Sequence, residues 1–281
     1  MNLRKLWIQT KKELDSSNIN DSIIESEVIL RNVLNLDRNN FFATLDKNIP
    51  TKQKLQIQNH LKRRLSGIPL SYITNNREFF GINFFVNKNV LIPRQESELL
   101  VEQVISFCKK NTKRQFNIID VGTGSGAIGI SIAKHLNNVN IIASDISDKA
   151  LQIAKKNANL VNVNQKMSFI NSNLLEKLKS PVDVIVANLP YLCSSEIEKL
   201  SPEVQNEPEI ALFAECKGIS LIKKLVEQAP NHLKKNGKLI LEISPTQVTD
   251  VISIFKENFP ESYPEIHDDY TKMQRAISLE T

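Results

Sequence analysis

The chain of 281 residues is 41% hydrophobic and 24% charged, a balance that supports a packed core and excludes a largely disordered protein. It has no apolar run long enough to cross a bilayer, and its charged start lacks the apolar segment of a secretory signal, so we expect a cytoplasmic protein with no membrane partner. The three cysteines and four histidines are scattered, which excludes the spacings typical of a disulfide framework or a metal site.

The net charge of +5 is concentrated in the N-terminal quarter of the chain. Residues 1–75 contain 12 Lys and Arg against 7 Asp and Glu, whereas residues 76–281 contain 24 of each. Two interpretations stay open. The excess either marks a surface that approaches an acidic protein or RNA, or it belongs to a solvated, lysine-rich helical surface without a partner.

The first 70 residues are predicted to be helical. Apolar residues recur at helical spacing between residues 23 and 34. A further helix is predicted over residues 51–65, with Thr51 as its N-cap. The pattern indicates a small helical bundle, and we assign residues 1–75 to it as the first domain.

A change of pattern after the bundle indicates a linker. Residues 78–86 are predicted to form a β-hairpin that turns at Gly81. We assign residues 76–96 to this hairpin linker. An amphipathic helix is predicted to follow over residues 97–109.

Strands and helices alternate regularly through the rest of the chain, which we assign to one domain, residues 97–281. Strands alternating with helices predict an α/β fold with a mostly parallel sheet covered on both faces. Ligands of such sheets bind beyond the carboxyl ends of the strands. Strands are predicted over residues 117–121, 140–144, 166–170, 182–187, 238–243 and, as one or two strands, 265–279; helices are predicted over residues 127–136, 148–160, 219–233 and 246–259.

A glycine-rich segment, Gly-Thr-Gly-Ser-Gly at residues 122–126, lies between the first of these strands and a helix. Glycines permit a tight turn and close approach of a ligand, and N–H groups at the start of a helix favour an anionic group. Asp145 ends the next strand, where its carboxylate can accept hydrogen bonds from a ribose diol. These features predict a cofactor site for either NAD(H) or S-adenosylmethionine. A purely structural turn is the alternative.

The sequence Asn188-Leu189-Pro190-Tyr191 directly follows the strand predicted over residues 182–187. It resembles the Asn-Pro-Pro-Tyr element of methyltransferases that modify planar nitrogens, with Leu189 in place of the first proline; an ordinary Asn-x-Pro turn is the alternative. An amide nitrogen is a poor nucleophile because its lone pair is delocalised, so orientation matters most. The Asn188 oxygen and the Leu189 carbonyl can accept its two N–H bonds, and Tyr191 offers an aromatic wall.

Three further segments point to one family. They are Gly-Ile-Pro-Leu-Ser-Tyr-Ile-Thr at residues 67–74, Arg-Glu-Phe-Phe-Gly at residues 77–81 and Val-Leu-Ile-Pro-Arg-Gln-Glu-Ser-Glu at residues 90–98. This run is similar to the linker of the release-factor glutamine methyltransferase family, which also has an N-terminal helical bundle of about this size. The resemblance covers most of the chain, from about residue 25 to its end.

The resemblance implies a class I S-adenosylmethionine-dependent methyltransferase domain, Rossmann-like with a mostly parallel seven-stranded sheet and helices on both faces, preceded by a bundle that docks the substrate. It implies methyl transfer from S-adenosylmethionine to the side-chain amide nitrogen of the glutamine in the Gly-Gly-Gln loop of class I peptide-chain release factors. It assigns catalysis to Asn188, Pro190 and Tyr191, and substrate binding to Asn188, Leu189, Pro190 and Tyr191. It assigns cofactor binding to Gly122, Thr123, Gly124, Ser125, Gly126, Asp145, Asn173, Leu174 and Asn188.

One part of the site departs from the family pattern, and another part allows two interpretations. Family members often carry an acidic residue and an aromatic where this chain has Asn173 and Leu174. Four residues near the linker either line the cofactor pocket or join the domains: Phe79, Phe80, Arg94 and Glu98.

Three alternatives to this function stay open. A ribosomal-protein glutamine methyltransferase shares the catalytic core, although its linker usually lacks the Ile-Pro-Arg-x-x-x-Glu form of residues 92–98. An adenine N6 methyltransferase would need a target-recognition domain, for which residues 192–217 are too short, so nucleic acid is not the expected substrate. A nicotinamide-dependent enzyme or a non-catalytic binding module accounts for the glycine loop and Asp145 but not for the Asn-Leu-Pro-Tyr sequence.

Overall fold

The computed structural model describes residues 1–193, 197 and 200–281, without the side chains of residues 216 and 217. The chain divides into two compact units. The first unit contains Met1–Asn75 and Ser201–Asn206, and the second contains Asn76–Leu200 and Glu207–Thr281. The inclusion of residues 201–206 in the first unit is a feature that the sequence did not indicate.

The first unit is helical, as the apolar periodicity predicts. The residues that face inward share a buried core, in which Leu6, Phe41 and Leu61 are 5% exposed or less. The Trp7 ring meets Phe41 edge-on at 5.5 Å between centroids, and its N–H donates to the Ser26 hydroxyl at 2.9 Å. The helices before residue 76 are α1 (Leu3–Asp15), α2 (Ser22–Leu34), α3 (Arg38–Ala43), α4 (Thr51–Leu65) and α5 (Leu70–Thr74).

The predicted N-cap of α4 is wrong by one residue. Helix α4 starts at Thr51 itself, and Pro50 occupies the capping position without a side-chain hydrogen bond. Proline holds φ near −60°, here −58°, so the chain enters the helix without a hydroxyl cap. At the other end of α4, the buried Arg64 guanidinium donates to both oxygens of Glu25, at 2.6 and 3.0 Å, and to Glu203. These contacts offset the cost of burying its charge.

The second unit begins with the predicted hairpin. Strands β1 (Arg77–Phe79) and β2 (Ile82–Phe84) pair antiparallel. Phe80 and Gly81 connect them with φ of +51° and +71°, the positive values that a two-residue hairpin turn requires. A 3-10 turn over Gln95–Ser97 then leads into helix α6 (Glu98–Lys109).

In the described part of the chain, a seven-stranded sheet forms the centre of the second unit, with strand order β5-β4-β3-β6-β7-β9-β8. All pairings are parallel except those of β9 with β7 and β8, which confirms the predicted mostly parallel sheet. Strand β7 starts earlier than predicted because its first residues already pair with β6 around a register shift. The strands are β3 (Phe116–Val121), β4 (Val139–Asp145), β5 (Met167–Asn171), β6 (Val182–Ala187), β7 (Leu233–Glu242), β8 (Glu265–Asp268) and β9 (Gln274–Glu280).

Helices cover both faces of this sheet because successive strand residues point to opposite sides. Ile119 and Val121 of β3 join a core cluster that includes residues of the helices α11 (Ser220–His232) and α12 (Val248–Asn258). Asp120, between them, points to the other face and accepts from the backbone N–H of Gly129, in helix α7 (Ala127–His135), at 3.0 Å. Among the described helices, none is both long and apolar enough to span a membrane. The remaining helices are α7 (Ala127–His135), α8 (Asp148–Val161), α9 (Pro202–Gln205) in the first unit, α10 (Glu215–Gly218), α11 (Ser220–His232) and α12 (Val248–Asn258).

The strand register brings the predicted functional segments together. The last residue of β3 pairs with position 144 of β4 and position 187 of β6. The residues that follow these positions, Gly122, Asp145 and Asn188, therefore emerge side by side at the carboxyl edge of the sheet. This is the edge at which ligands of open parallel sheets bind.

A buried carboxylate fixes the opposite, amino end of β6. The Asp183 side chain is fully buried and pairs with Arg114 and with Lys234, the latter at 3.0 Å. It also accepts from the Asn117 backbone N–H at 2.8 Å. The backbone N–H of Asn117 and the ammonium of Lys234 hold the pKa of Asp183 below its ordinary value, even though desolvation by burial acts in the opposite direction as the largest single influence.

We expect Asp183→Asn to lower the free energy of unfolding by about 2 kcal/mol at pH 7, because hydrogen bonds to a charged group are worth about 1.5–3 kcal/mol. The two cations that it leaves are more than a third exposed and stay hydrated. The pKa of Asp183 is lowered by folding, so its contribution is present above pH 4 and is lost as the pH falls through the folded value. Urea denaturation at several pH values measures this. Glu227→Gln, which breaks an exposed pair with Lys223, is the control and should cost less than about 1 kcal/mol. Equal losses in both variants would contradict the assignment.

Candidate active site

The carboxyl ends of β3, β4 and β6 open into a cavity of about 240 Å³. A smaller cavity of about 50 Å³ adjoins it, lined by Thr123 and Ser125 and, like the larger one, by Gly122, Gly124 and Asn188. Of the residues that the sequence assigns to the site, the larger cavity is lined by Gly122, Gly124, Asp145, Asn173, Leu174, Asn188, Leu189 and Pro190. Gly126 and Tyr191 line neither cavity.

The glycine loop is tight because its glycines adopt conformations that side chains rarely tolerate. Gly122, Gly124 and Gly126 have φ of +71°, +56° and +84°. A Cβ at Gly122 would lie 3.2 Å from the Leu189 side chain, so the loop and the Asn-Leu-Pro-Tyr turn touch each other. A Cβ at Gly126 would lie 2.7 Å from Ile130 of α7. A side chain at Gly126 would therefore collide with α7, and one at Gly122 would crowd Leu189, which explains the glycine at both positions.

A buried carboxylate below the loop holds it in place. One oxygen of Asp120 accepts from the Thr123 hydroxyl at 2.6 Å and from the Gly129 N–H at 3.0 Å. Burial raises the pKa of Asp120 to about 6, although both hydrogen bonds favour its ionised form. Asp120 thus connects the loop to the first turns of α7.

Asp145 is fixed by the backbone on both of its oxygens. One oxygen accepts from the Gly124 N–H at 2.9 Å and the other from the Ser147 N–H at 2.8 Å. Burial raises the pKa of Asp145 above its ordinary value, against the effect of these bonds. Each carboxylate oxygen can accept a further hydrogen bond, and Asp145 lines the larger cavity.

The segment after β5 forms the far wall of the larger cavity. Leu174 is buried with φ of +49°, and it lines the cavity with Asn173. The Asn173 side chain donates to Glu176 at 2.6 Å. Leu174 thus gives this wall an apolar surface without charge.

Asn188 is held by its amide. Its Nδ2 donates to the Ser97 hydroxyl at 2.9 Å, while Leu189 is buried against the glycine loop. Tyr191 points its hydroxyl at Glu242, at 3.3 Å, and its backbone carbonyl accepts from Gln247 at 3.0 Å. The turn is thus fixed at both ends, and the aromatic wall expected from Tyr191 stays a prediction.

Residues near the linker have defined partners. Arg94 forms an ion pair with Glu207, which also accepts from the Ile92 N–H at 2.9 Å. Glu98 accepts from the Phe80 N–H at 2.8 Å. Phe79 and Arg94 line the smaller cavity, whereas Phe80 and Glu98 line neither cavity. A role of these four residues in joining the domains stays a prediction.

Sequence reasoning did not single out two residues that contact the Asn-Leu-Pro-Tyr turn. They are Ser97, at the start of α6, and Glu242, at the end of β7, and both are buried. An acidic residue inside the apolar run Leu-Ile-Leu-Glu-Ile was a signal for Glu242, since a buried charge needs a reason. Ser97 gave no such signal. Among the residues that the structure describes, no cluster of three or more His, Cys, Asp or Glu side chains could hold a metal ion.

Comparison with known proteins places the chain among methyltransferases. A model described as the PrmC N-terminal domain matches residues 5–74, and one described as ribosomal protein L11 methyltransferase (PrmA) matches residues 101–209. A release factor glutamine methyltransferase of Lactococcus lactis is 38% identical over 276 residues, which covers 98% of this chain and 99% of that protein. A bifunctional methyltransferase of Rickettsia typhi is 35% identical over 99% of this chain, which spans 57% of that protein. A methyltransferase structure from Pyrococcus furiosus, 15% identical, matches 82% of this chain and 98% of its own with a TM-score of 0.51, and this supports the fold.

We expect Gly218→Ala to displace the Asn-Leu-Pro-Tyr turn, because a Cβ at Gly218 would lie 1.9 Å from the carbonyl oxygen of Tyr191. Gly81→Ala is a matched control: both glycines have positive φ, but nothing lies within 4 Å of a Cβ at Gly81. Each variant should lose about 1 kcal/mol of unfolding free energy from backbone strain. The clash should cost Gly218→Ala about 2 kcal/mol more in urea denaturation, and equal losses would mean that the turn relaxes freely.

Proposed function

Since the chain belongs to the release factor glutamine methyltransferase family, we propose that this site methylates the side-chain amide nitrogen of the glutamine in the Gly-Gly-Gln loop of class I release factors. The methyl donor is S-adenosylmethionine. The observation that supports the proposal most is the position of Asn188, which lines the same two cavities as Gly122 and Gly124 of the glycine loop. The acceptor and the donor can therefore meet at one point of the sheet edge.

The cavity residues fit S-adenosylmethionine. The backbone of residues 122–126 would hold its methionine part, because glycines at 122, 124 and 126 let a ligand approach the main chain closely. Asp145 would accept the two ribose hydroxyls, and Asn173 and Leu174 would lie near the adenine. When bound, the cofactor supplies a methyl group on a sulfonium, which is already strongly electrophilic.

The Asn-Leu-Pro-Tyr turn would orient the acceptor. The Asn188 side-chain oxygen accepts one N–H of the glutamine amide, and the Leu189 carbonyl accepts the other. Pro190 restricts residue 189 to extended conformations, which keeps that carbonyl in position. Both hydrogens are then held in fixed directions, so the nitrogen lone pair faces the methyl group and the rate gain comes from orientation. The Leu189 side chain does not affect this role, because only its backbone carbonyl takes part.

The alternative functions have less support. The ribosomal protein methyltransferase model matches residues 101–209, whereas relatives named for release factors match nearly the whole chain. The described segment between the turn and α10 holds only short helical turns, which is little structure for reading a nucleic acid base. Neither a ribosomal-protein substrate nor an adenine substrate is favoured.

We further propose the domain organisation predicted from the sequence: a docking bundle at residues 1–75, a linker at residues 76–96 and the methyltransferase domain at residues 97–281. The excess of basic residues in the bundle suits an acidic surface of the release factor. Because release factors act on ribosomes, the cytoplasm is the proposed place of action.

A direct test uses S-adenosylmethionine with a labelled methyl group, a purified class I release factor and mass spectrometry. We expect the label on the amide of the Gly-Gly-Gln glutamine and none on a release factor in which asparagine replaces that glutamine, since its shorter side chain does not reach the methyl group. In cell extract, label on a ribosomal protein or on nucleic acid instead would overturn the proposal.

Two variants should separate the cofactor role from the acceptor role. Asp145→Ala should raise the Kd of S-adenosylmethionine by at least about 10-fold, because it removes a charged acceptor, and a hydrogen bond to a charged group is worth about 1.5–3 kcal/mol. Asn188→Ala should lower kcat roughly 100-fold through loss of orientation and leave that Kd nearly unchanged. Calorimetry and steady-state kinetics measure both. Equal loss of cofactor affinity in Asn188→Ala would contradict the role given to Asn188, and unchanged affinity in Asp145→Ala would remove Asp145 from the site.

A further inference from the structure

A buried row of hydrogen bonds lies behind Asn188. The Asn188 Nδ2 donates to the Ser97 hydroxyl at 2.9 Å, and that hydroxyl donates to Oε2 of Glu242. The Tyr191 hydroxyl donates to Oε1 of the same carboxylate at 3.3 Å. Ser97 is 4% exposed and Glu242 is 2% exposed, so water does not compete for these bonds. Three separate elements contribute: the turn before α6, the turn after β6 and the end of β7.

The row has a direction, which the carboxylate sets. An ionised carboxylate only accepts hydrogen bonds. The single hydroxyl hydrogen of Ser97 is therefore committed to Glu242, and Ser97 can only accept from Asn188. Asn188 must then turn its NH2 group toward Ser97, which leaves its Oδ1 on the opposite side of the planar amide. Oδ1 has no hydrogen-bond partner among the residues that the structure describes.

We propose that Ser97 and Glu242 are positioning residues that fix the amide of Asn188 so that its oxygen, and not its NH2 group, faces the acceptor nitrogen. This inference rests on the proposed glutamine methylation. In the flipped orientation, the Asn188 NH2 group would face the NH2 group of the glutamine, and two donors cannot hold each other. If a glutamate took the place of the glutamine, Asn188 Oδ1 would face a carboxylate oxygen, and two acceptors repel each other. The fixed orientation therefore lets the site distinguish an amide from a carboxylate.

The row of hydrogen bonds from Asn188 to Glu242 responds to pH because its carboxylate is buried. Burial raises the pKa of Glu242 to about 7, and the negative charge of Glu96 acts in the same direction. The Ser97 and Tyr191 hydroxyls and the positive charge of Arg275 oppose this shift. Arg275 in turn donates to Asp269 at 3.1 Å, which holds it in place.

Protonation of Glu242 removes the direction of the row. A neutral carboxyl group is itself a donor, so the Ser97 hydroxyl is free to donate to Asn188 and both amide orientations become possible. We therefore expect kcat to fall as the pH drops through about 7 at saturating S-adenosylmethionine. Saturation matters because Asp145, in the cofactor site, also has a raised pKa and would otherwise add its own pH dependence.

The test compares Ser97→Ala, Ser97→Thr and Glu242→Gln with the wild-type protein, using an intact release factor as substrate. Ser97→Ala and Glu242→Gln should lower kcat about 10-fold or more without changing the Kd of S-adenosylmethionine in calorimetry. Ser97→Thr retains the hydroxyl and should stay closer to wild type than to Ser97→Ala. The acid limb of the kcat profile near pH 7 should be missing from Glu242→Gln. Ser131→Ala, which removes a buried hydroxyl with no hydrogen-bond partner in the described structure, is the matched control and should leave kcat unchanged.

A second measurement does not depend on catalysis. In the wild-type protein, the 15N side-chain amide resonance of Asn188, assigned from its loss in Asn188→Ala, should shift with pH with a midpoint near 7. Glu242→Gln should abolish that shift. If the wild-type protein does not methylate glutamine but the resonance titrates as expected, the proposed function fails and the coupling of Asn188 to Glu242 stands. If glutamine is methylated while the variants keep wild-type kcat and the resonance does not respond to pH, the positioning role of Ser97 and Glu242 is overturned.

Discussion

Parallel pairing of β3 with β4 on one side and β6 on the other is the constraint on which the site depends. It aligns three strand ends so that Gly122, Asp145 and Asn188 leave the sheet in adjacent positions. Each residue then needs only a short turn to reach a common cavity. A slip of one residue in either pairing would turn the following side chain to the opposite face of the sheet. The buried Asp183 of β6, which accepts from the Asn117 N–H of β3 at 2.8 Å, opposes such a slip.

The same contacts couple the two halves of the site. A Cβ at Gly122 would lie 3.2 Å from the Leu189 side chain, so the glycine loop and the turn are in close contact. The loop that would hold the cofactor and the turn that would hold the acceptor therefore support each other. In a transfer reaction that depends on orientation, this contact matters because a small displacement of one group changes the approach of the other. The Leu189 side chain, which departs from the family pattern, thus serves packing while its carbonyl remains available.

Local patterns were sufficient to predict α2 and α4, the alternating strands and helices after residue 97, and the segments that carry the glycine loop, Asp145 and the Asn-Leu-Pro-Tyr turn. They did not separate α1, α3 and α5 within the helical bundle, and they did not indicate α9 or α10. The apolar run of β6 and the glycines at residues 122–126 each report on structure within a few residues, where periodicity and turn chemistry act. The N-cap of α4 was missed because a proline before Thr51 replaces the hydroxyl cap. Ser97 and Glu242 were missed for a different reason. They contact the turn from positions 91 and 51 residues away along the chain, and no local pattern records which distant strand end a serine will meet.

Two buried carboxylates under the site share one physical arrangement. Asp120 lies below the glycine loop and Glu242 below the acceptor turn, and each accepts a hydrogen bond from a hydroxyl that belongs to or contacts the segment above it. Burial raises both pKa values, so keeping these groups ionised costs folding free energy that an apolar residue would not. A neutral group of the same size could fill either space but could not impose a direction, because hydroxyl and amide partners can then donate or accept. The two ionised carboxylates therefore fix the direction of the hydrogen bonds in the loop and in the turn, and this order costs folding free energy because both charges are buried.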